Sequence, residues 1–409
     1  MKSAAPLVFP GRASQAGSAG GGGGPAALPQ TGNVRGPSFG GRSPAGQDES
    51  ALRDAVAQGF AASTAIVEGE FRTQVQTHSA LETHGVVADW REDGLTVYAS
   101  TQSTQSVRDE LAEILALPKS KVRVLTEFMG GGFGAKFGAG NFGLVAALLS
   151  KKAGAPVRLF FDRKEEHWST GNRPDSLQKL KVGADAQGKL RAMHLVGFGT
   201  AGVGTGAGTA GPVENLYTCP AVLTEEHDVF THAGPGAAFR APGHPQGCFA
   251  LEQSIDALAE KLGLDVLEFM DKNDPSPERR EERRLGAERI GWSRRKKAGV
   301  GLDGASGPIR RGLGVAQAVW YRINSMESGA EVRISRDGSV EILSAVQDIG
   351  GGIKTVLAQV VAEELGIAPS EVVVRIGDTA YLPGPPSGGS MTTSSITPAA
   401  RNAAYKVKL

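Results

Sequence analysis

At 409 residues, with 40 % hydrophobic and 21 % charged positions, the chain is long enough for two or more domains that each bury a core. Its formal net charge of +1 supplies no field that would favour nucleic acid or an anionic membrane. No run approaches the roughly eighteen apolar residues that a membrane span needs.

Residues 1–50 are rich in Gly, Pro, Ser and Ala and lack apolar periodicity, so they read as a flexible lead. The apolar patch Leu7-Val8-Phe9 is too short for a secretory h-region, and a cytoplasmic location is expected, with a periplasmic one left open. A first domain is expected over 51–297. It starts with a helix at Ala51–Phe60 and strands at Ala65–Phe71, Gly85–Trp90 and Leu95–Ser100, the last two joined at Glu92-Asp93-Gly94. Ser106–Leu115 is an amphipathic helix ended by Pro118. Lys121–Phe128 reads as a strand that breaks into Gly130-Gly131-Gly132-Phe133-Gly134-Ala135-Lys136. A helix at Gly140–Lys152 and a strand at Pro156–Phe161 follow.

Lys179–Val182 and Leu190–Phe198 pair across Asp185-Ala186-Gln187-Gly188, and 197–211 reads as a second glycine-rich loop. The stretch 233–247 is coil, Phe249–Leu262 a helix, and Glu278–Arg289 a solvated helix with i,i+4 ion pairs. Arg294-Arg295-Lys296-Lys297 reads as a linker, because acids lie close upstream and no aromatic residue interleaves. A second domain is expected over 298–409. Ala330–Ile334 and Val340–Val346 form a hairpin, and Gln347-Asp348-Ile349-Gly350-Gly351-Gly352 opens the helix Lys354–Leu365. A strand at Val372–Ile376, a polar loop at 383–395 and a helix from Pro398 to Tyr405 complete it. No terminator precedes Leu409, so this domain is expected to be incomplete. The fold class is α+β, two mixed α/β domains.

A strand that breaks into glycines leaves backbone N–H groups unshielded, a seat for an anion or the polar edge of a flat cofactor. A P-loop fails, because Ala135 precedes Lys136 and Phe137 stands where a magnesium-binding hydroxyl belongs. Gly130-x-Gly132-x-x-Ala135 fits the dinucleotide fingerprint, with Asp162 as a ribose-binding acid. An NAD-dependent oxidoreductase therefore stays open. However, strand, glycine cluster and helix occur twice, at 121–152 and 340–365, with further polar loops at 233–247 and 383–395. A dinucleotide needs one such turn; several suit a larger cofactor. Cys219 and Cys248, the only cysteines, are too few for an iron–sulfur cluster or a structural zinc site and read as reduced thiols.

Six stretches, in order, resemble the large, molybdenum-cofactor subunit of the xanthine dehydrogenase/aldehyde oxidase family. They are Gln76-Thr77-His78-Ser79-Ala80-Leu81-Glu82-Thr83-His84-Gly85, Ser100-Thr101-Gln102, Met129 to Lys136, Phe239-Arg240-Ala241-Pro242-Gly243-His244-Pro245-Gln246, Gln347 to Gly352, and Gly388-Gly389-Ser390-Met391-Thr392-Thr393. The resemblance covers roughly residues 65 to 409. It implies two molybdenum-cofactor-binding domains and a molybdopterin whose metal carries oxo, sulfido and hydroxyl-type ligands. Such enzymes hydroxylate aldehydes or N-heterocycles with oxygen from water and pass electrons to 2Fe–2S and FAD groups. Here those groups would sit on an iron–sulfur small subunit and a FAD subunit. Carried over, Gln102 would hydrogen-bond an oxo ligand, Phe133 and Gly134 would offer backbone amides beside Gly132, and Arg240 would line the cofactor with Phe239. Gly350, Gly351, Gly352, Ser390 and Thr392 would hold the pterin and its phosphate tail.

The departures carry expectations of their own. Phe137 replaces the glutamate of xanthine-specific relatives, which favours an aldehyde over a purine, and Gly351 replaces a frequent glutamine. The family's base, a glutamate in a Gly-Val-Gly-Glu stretch, does not occur, so these residues alone are expected to be catalytically inactive and the catalytic residue is not assigned. The family's usual N-terminal domain is expected to be missing or replaced by the glycine-rich lead. His78, Glu82 and His84 would share one face of a strand and invite a metal reading. The family holds its metal through the pterin, so a structural role is expected for them. His244 either holds its loop or faces the pocket. A non-catalytic fragment that keeps the fold is the remaining alternative.

Overall fold

The structure, a computed structural model, describes residues 28–204, 208–296, 302, 308–309, 311–321 and 323–409. The first part of the expected lead, the 297/298 boundary, Lys297 and part of the 197–211 loop lie outside the described residues. The chain divides into two compact units built from discontinuous stretches, 1–76 with 173–236 and 241–320, and 77–172 with 237–240 and 321–409.

The first unit is built on a six-stranded sheet, in the order Gln30–Thr31, Val34–Arg42, Ala221–Phe230, Leu190–Gly202, Ser176–Ala184 and Ala65–Thr73. Side chains alternate across it, as period-2 strands require. Ala192, Ala221 and Leu223 meet Leu52 and Val56 of the helix Glu49–Ala61. Met193, Leu195 and Val222 meet Ala250, Leu251 and Ile255 of the helix His244–Leu262. Residues 34–42, expected within the flexible lead, are instead a full strand paired with Ala221–Phe230. The glycines that suggested a linker serve close packing here. Gly41 sits at φ +126°, and a Cβ there would collide with the Val222 carbonyl. Residues 197–202, expected as loop, extend the strand Leu190–Gly202.

The second unit holds two smaller sheets. One runs Val122–Leu125, Gly94–Ala99, Gly85–Arg91, Val157–Phe160; the other Glu331–Ile334, Val340–Ser344, Val372–Ile376. Both follow one plan. An antiparallel hairpin leads through a crossover helix (Thr104–Ile114 or Ile353–Leu365) to a strand parallel to the hairpin's second strand. A further helix follows each, Gly140–Ala153 and Thr392–Lys408. Thus 122–153 corresponds to 372–408, and 340–365 corresponds to 94–114, so the two glycine clusters occupy different places in the plan. The last helix starts six residues before the expected Pro398. Pro398 removes one helical hydrogen bond, but Ile396, Ala400 and Ala404 form a fully buried face that carries the helix through it.

The two sheets of this unit are joined through their parallel strands. Thr126 N donates to Gly377 O at 2.7 Å and Thr379 N to Val124 O at 3.1 Å. Arg123 pairs with Asp378 at 2.5 Å. Single β-bridges join Leu125 to Asp378 and Phe128 to Asp348.

Candidate functional site

All eleven residues expected to hold a cofactor lie in the second unit. The Phe128–Asp348 bridge is parallel. Two residues beyond each bridged partner a glycine run begins, Gly130–Gly132 on one strand and Gly350–Gly352 on the other. Two stretches of bare main chain therefore leave one bridge side by side and in the same direction. Lys354 reinforces the junction, with its ammonium 2.5 Å from Glu127 and 4.1 Å from the centre of the Phe128 ring.

The first glycine turn is held from behind. Gln102, 2 % exposed, accepts through Oε1 from Gly134 N at 2.8 Å and Lys136 N at 3.2 Å, and donates from Nε2 to Ser387 O at 2.7 Å. Gly132 must be glycine because a Cβ would strike the Gln102 amide. Gly134, at φ +114°, would likewise strike the Ala238 carbonyl. Arg240 N donates to Phe133 O at 2.8 Å, and the Phe133 and Phe239 rings meet edge to face at 6.4 Å. Phe133, Arg240 and Ser390 take φ of 56°, 30° and 58°, left-handed values that side chains adopt only where surrounding structure enforces them.

What the turn leaves open is a row of donors. Gly134 N is engaged by Gln102, but no hydrogen bond holds the N–H of Gly131, Gly132 or Phe133 among the described residues. Gly132 is buried, and a buried N–H without a partner is rare in a native fold. In the second turn, Asp348 Oδ1 accepts from Gly350 N at 2.8 Å and Gly352 N at 3.3 Å, and no hydrogen bond holds Gly351 N among the described residues. A Cβ at Gly350, Gly351 or Gly352 would meet nothing within 4 Å. The helices Ile353–Leu365 and Thr392–Lys408 both begin without a side-chain cap, so no capping side chain occupies their first N–H groups. Uncharged donors in this arrangement fit the polar edge of a pterin and its phosphate.

The loop with Ser390 and Thr392 is tied to the first turn through Ser387, whose N donates to Gln102 O at 2.7 Å. Thr392 Oγ1 donates to Pro386 O at 3.3 Å, and the Phe137 ring lies where a Gly388 side chain would be. No hydrogen bond joins Ser390 or Thr392 to Gly350–Gly352 among the described residues. Sequence reasoning passed over Gln347 and Ser387 as site residues. Gln347 Nε2 donates to Ser387 Oγ at 2.5 Å. The signal lay in spacing, since Gln102 and Gln347 follow the turns Asp93-Gly94 and Asp337-Gly338 by nearly equal lengths.

Several expectations need correction. Lys136, at the end of the glycine cluster, is 1 % exposed, and its ammonium donates to Glu82 O at 2.7 Å and Ser100 Oγ at 2.8 Å. Burial pushes its pKa down, against the pull of Glu82 and Glu166. Asp162 does not await a ribose. It caps the helix Arg163–Ser169, accepting from Glu165 N at 2.7 Å. The strand before the cluster is an edge strand of a mixed sheet, whereas a dinucleotide site opens from a parallel sheet at a topological switch point. The NAD reading falls on both counts.

His78, Glu82 and His84 lie in a loop rather than on one strand face, each bonded within the unit. His78 Nε2 meets Ala238 O at 2.7 Å, Glu82 accepts from Gly130 N, and His84 lies 3.0 Å from Glu166. Among the described residues no group of three His, Cys, Asp or Glu could hold a metal ion. In the first unit, His244 starts the helix His244–Leu262 with its ring 4.8 Å from Trp320, which answers to a loop-holding role. Both cysteines are free thiols, pushed up to about 11 by burial. No described helix is long and apolar enough to cross a membrane.

Comparison with known proteins agrees with this geometry. The family model for the molybdopterin cofactor-binding domain matches residues 44–274, and a second of the same description matches 285–409. The chain is 33 % identical over 366 residues to the aldehyde oxidoreductase molybdenum-binding subunit PaoC of Escherichia coli O157:H7, covering 85 % of this chain and 49 % of that one. It is 30 % identical over 371 residues to the xanthine dehydrogenase molybdenum-binding subunit of the same organism, covering 84 % and 49 %. Its fold superposes on quinoline 2-oxidoreductase from Pseudomonas putida 86 with a TM-score of 0.77 at 24 % identity, over 93 % of this chain and 52 % of that one. The chain thus spans about half the length of these relatives.

Proposed function

Because the chain belongs to the molybdopterin cofactor-binding family, we propose that it is the cofactor-holding portion of a molybdenum hydroxylase. In this reading it serves oxidation of an aldehyde, or less readily an N-heterocycle, with oxygen from water. Electrons leave to iron–sulfur and FAD groups on partner subunits. The observation that carries the reading is the pair of glycine runs launched side by side from the Phe128–Asp348 bridge, with the Gly131, Gly132, Phe133 and Gly351 amides unpartnered among the described residues.

The bound cofactor supplies the two-electron redox centre. The protein's part is to hold and orient it. The free amides of Gly131–Phe133 would face its metal end, Phe239 and Arg240 would flank it, and Gly350–Gly352 with Ser390 and Thr392 would take the pterin and its phosphate. Amides and hydroxyls can satisfy a polar pterin without adding charge, and glycines let the main chain approach closely. Gln102 has one amide hydrogen beyond its Ser387 bond to offer an oxygen ligand. Phe137 brings an apolar ring where purine-specific relatives carry a carboxylate, which favours an aldehyde.

The test is to produce the 409-residue chain in a host that makes the cofactor, then measure molybdenum and oxidised-pterin fluorescence per chain. Near-stoichiometric values support the reading; NAD binding with no molybdenum or pterin refutes it. No Gly-Val-Gly-Glu stretch is present, so the loaded chain alone is expected to hold cofactor without oxidising aldehydes.

A further inference from the structure

We propose that His84 and Glu166 form a positioning pair that fixes the Gly130–Lys136 turn toward its cofactor, an inference that rests on the cofactor reading above. His84 and Glu166 are 4 % and 1 % exposed. His84 N donates to Glu166 Oε2 at 2.7 Å, and Nδ1 lies 3.0 Å from both carboxylate oxygens. On the far side of the ring, Nε2 lies 3.1 Å from the Ala135 carbonyl.

A carboxylate and a carbonyl can only accept. The ring is therefore held between two acceptors, the Glu166 carboxylate on one side and the Ala135 carbonyl on the other. Burial alone would raise the Glu166 carboxyl, but the hydrogen bonds from His84 and the Lys136 charge hold it below the usual range. The Lys136 charge acts on Glu166 and is itself acted on by Glu82 and Arg163, and the Phe142 ring closes one side, 5.8 Å from the imidazole and nearly perpendicular.

The pair is well placed to transmit rigidity. Glu166 sits on the helix Arg163–Ser169, fixed at its start by the capping box of Asp162 and Glu165. The Ala135 carbonyl held by His84 belongs to the residue whose N–H closes the turn onto Gly132 O at 3.0 Å. One buried pair thus grips the rear of the turn, while among the described residues no hydrogen bond holds the amides of Gly131, Gly132 and Phe133. Neither residue needs to touch the cofactor; both act through Ala135.

The experiment uses the 409-residue chain. Glu166→Gln keeps the shape and an accepting oxygen but removes the charge that anchors the ring; His84→Phe removes both ring bonds. In the cofactor-free chain, amide exchange at Gly134 and Ala135 is expected to quicken about tenfold in either variant, with exchange in the strand Gly94–Ala99 unchanged. Molybdenum and pterin retained per chain are expected to fall about tenfold, and Glu166→Asp, which keeps the charge, to recover part of both. Nitrogen NMR of histidine-labelled wild type provides a check that no variant can spoil, with His84 Nε2 expected to carry the hydrogen shared with the Ala135 carbonyl. A bare Nε2, or unchanged exchange at Gly134 and Ala135 in Glu166→Gln, overturns the proposal. If wild type takes up no cofactor, the cofactor reading fails, while the exchange and NMR results still decide the pair.

Discussion

Gln102 supports more of the second unit than a ligand to a cofactor needs to, and Gln102→Met tests this directly. Methionine fills similar volume and so separates the polar contribution from a cavity. The substitution strips partners from Gly134 N, Lys136 N and Ser387 O, now held at 2.8, 3.2 and 2.7 Å. A buried polar group left unpaired costs about 1–3 kcal/mol. Three such groups, partly relaxed by water, give a loss of about 3–6 kcal/mol, a large share of a typical domain's 5–15 kcal/mol. With two units, a single unfolding midpoint would mix their responses. Urea-dependent hydrogen exchange in the strands Gly94–Ala99 and Val340–Ser344 reads the second unit, with Leu190–Gly202 as reference. Both second-unit strands are expected to lose protection together, because Gln102 links the hairpin of one sheet to the loop after the other. A loss below about 1 kcal/mol, or a loss confined to Gly94–Ala99, would refute the reasoning.

Further expectations concern the glycines and pH. Gly134→Ala forces a Cβ onto the Ala238 carbonyl at φ +114° and should lower cofactor retention at least tenfold and destabilise the turn by about 2 kcal/mol or more, read by pterin content and exchange. Gly351→Ala meets nothing within 4 Å and has no left-handed φ, so its thermal midpoint should stay within about 2 °C of wild type. If a pterin lies over that turn, its cofactor content should nevertheless fall. Gly352→Ala, at φ +76°, should lower both. In the first unit, burial pushes the Glu252 carboxyl up to about 7, against hydrogen bonds from Gln317 N and the Tyr217 hydroxyl. The folded state then keeps a proton that the unfolded chain sheds above about 4.5, so stability falls as pH rises through that window, by about 2–3 kcal/mol. Glu252→Gln should flatten this slope in thermal melts between pH 5 and 8, and equal slopes would count against it. Asp274 behaves oppositely. Burial would raise it, but Arg279 and Arg283 bring it down to about 2, so the stability it contributes is complete above about pH 4 and is lost as pH falls through 2. Arg279→Met, which removes the larger of the two causes, should take away more of that acid-side loss than Arg283→Met.

Much of the second unit was legible because its signals are local. Turn pairs such as Glu92-Asp93 and Asp337-Gly338, β-branched strands and the apolar stripe of Ile353–Leu365 each declare themselves within ten residues. The strand at Val34–Arg42 did not, because its partner lies nearly two hundred residues away and its glycines serve packing against Val222 rather than flexibility. The direction of Lys136 was illegible for a related reason. A lysine beside glycines suggests an anion, but its direction is decided by acceptors at Glu82 and Ser100, which only tertiary structure assembles. The His84–Glu166 pair joins residues 82 apart, and nothing in either local sequence names the other.

The repeated plan of the second unit explains why two inequivalent glycine runs can serve one ligand. Gln102 and Gln347 stand at matching places, each just past the second strand of its hairpin, and both reach Ser387, one through its carbonyl and the other through its hydroxyl. Thr104, at the head of the first crossover helix, returns the link by donating from Oγ1 to Ala345 O at 2.9 Å. The first half therefore ends its hairpin by gripping the second at Ser387 and Ala345, which fixes the height at which the strands continue past the sheet. The Phe128–Asp348 bridge forms at that height, and from there one chain enters its glycines after a parallel strand and the other before a crossover helix. An exact duplication would place both clusters at matching positions in the two halves; here the offset lines them up along one bridge. Lengthening either path by one residue, for example an alanine inserted after Ser344, should break the bridge register and abolish cofactor retention while leaving the strand Val340–Ser344 protected from exchange. Retained cofactor in that insertion variant would mean that the two runs bind independently.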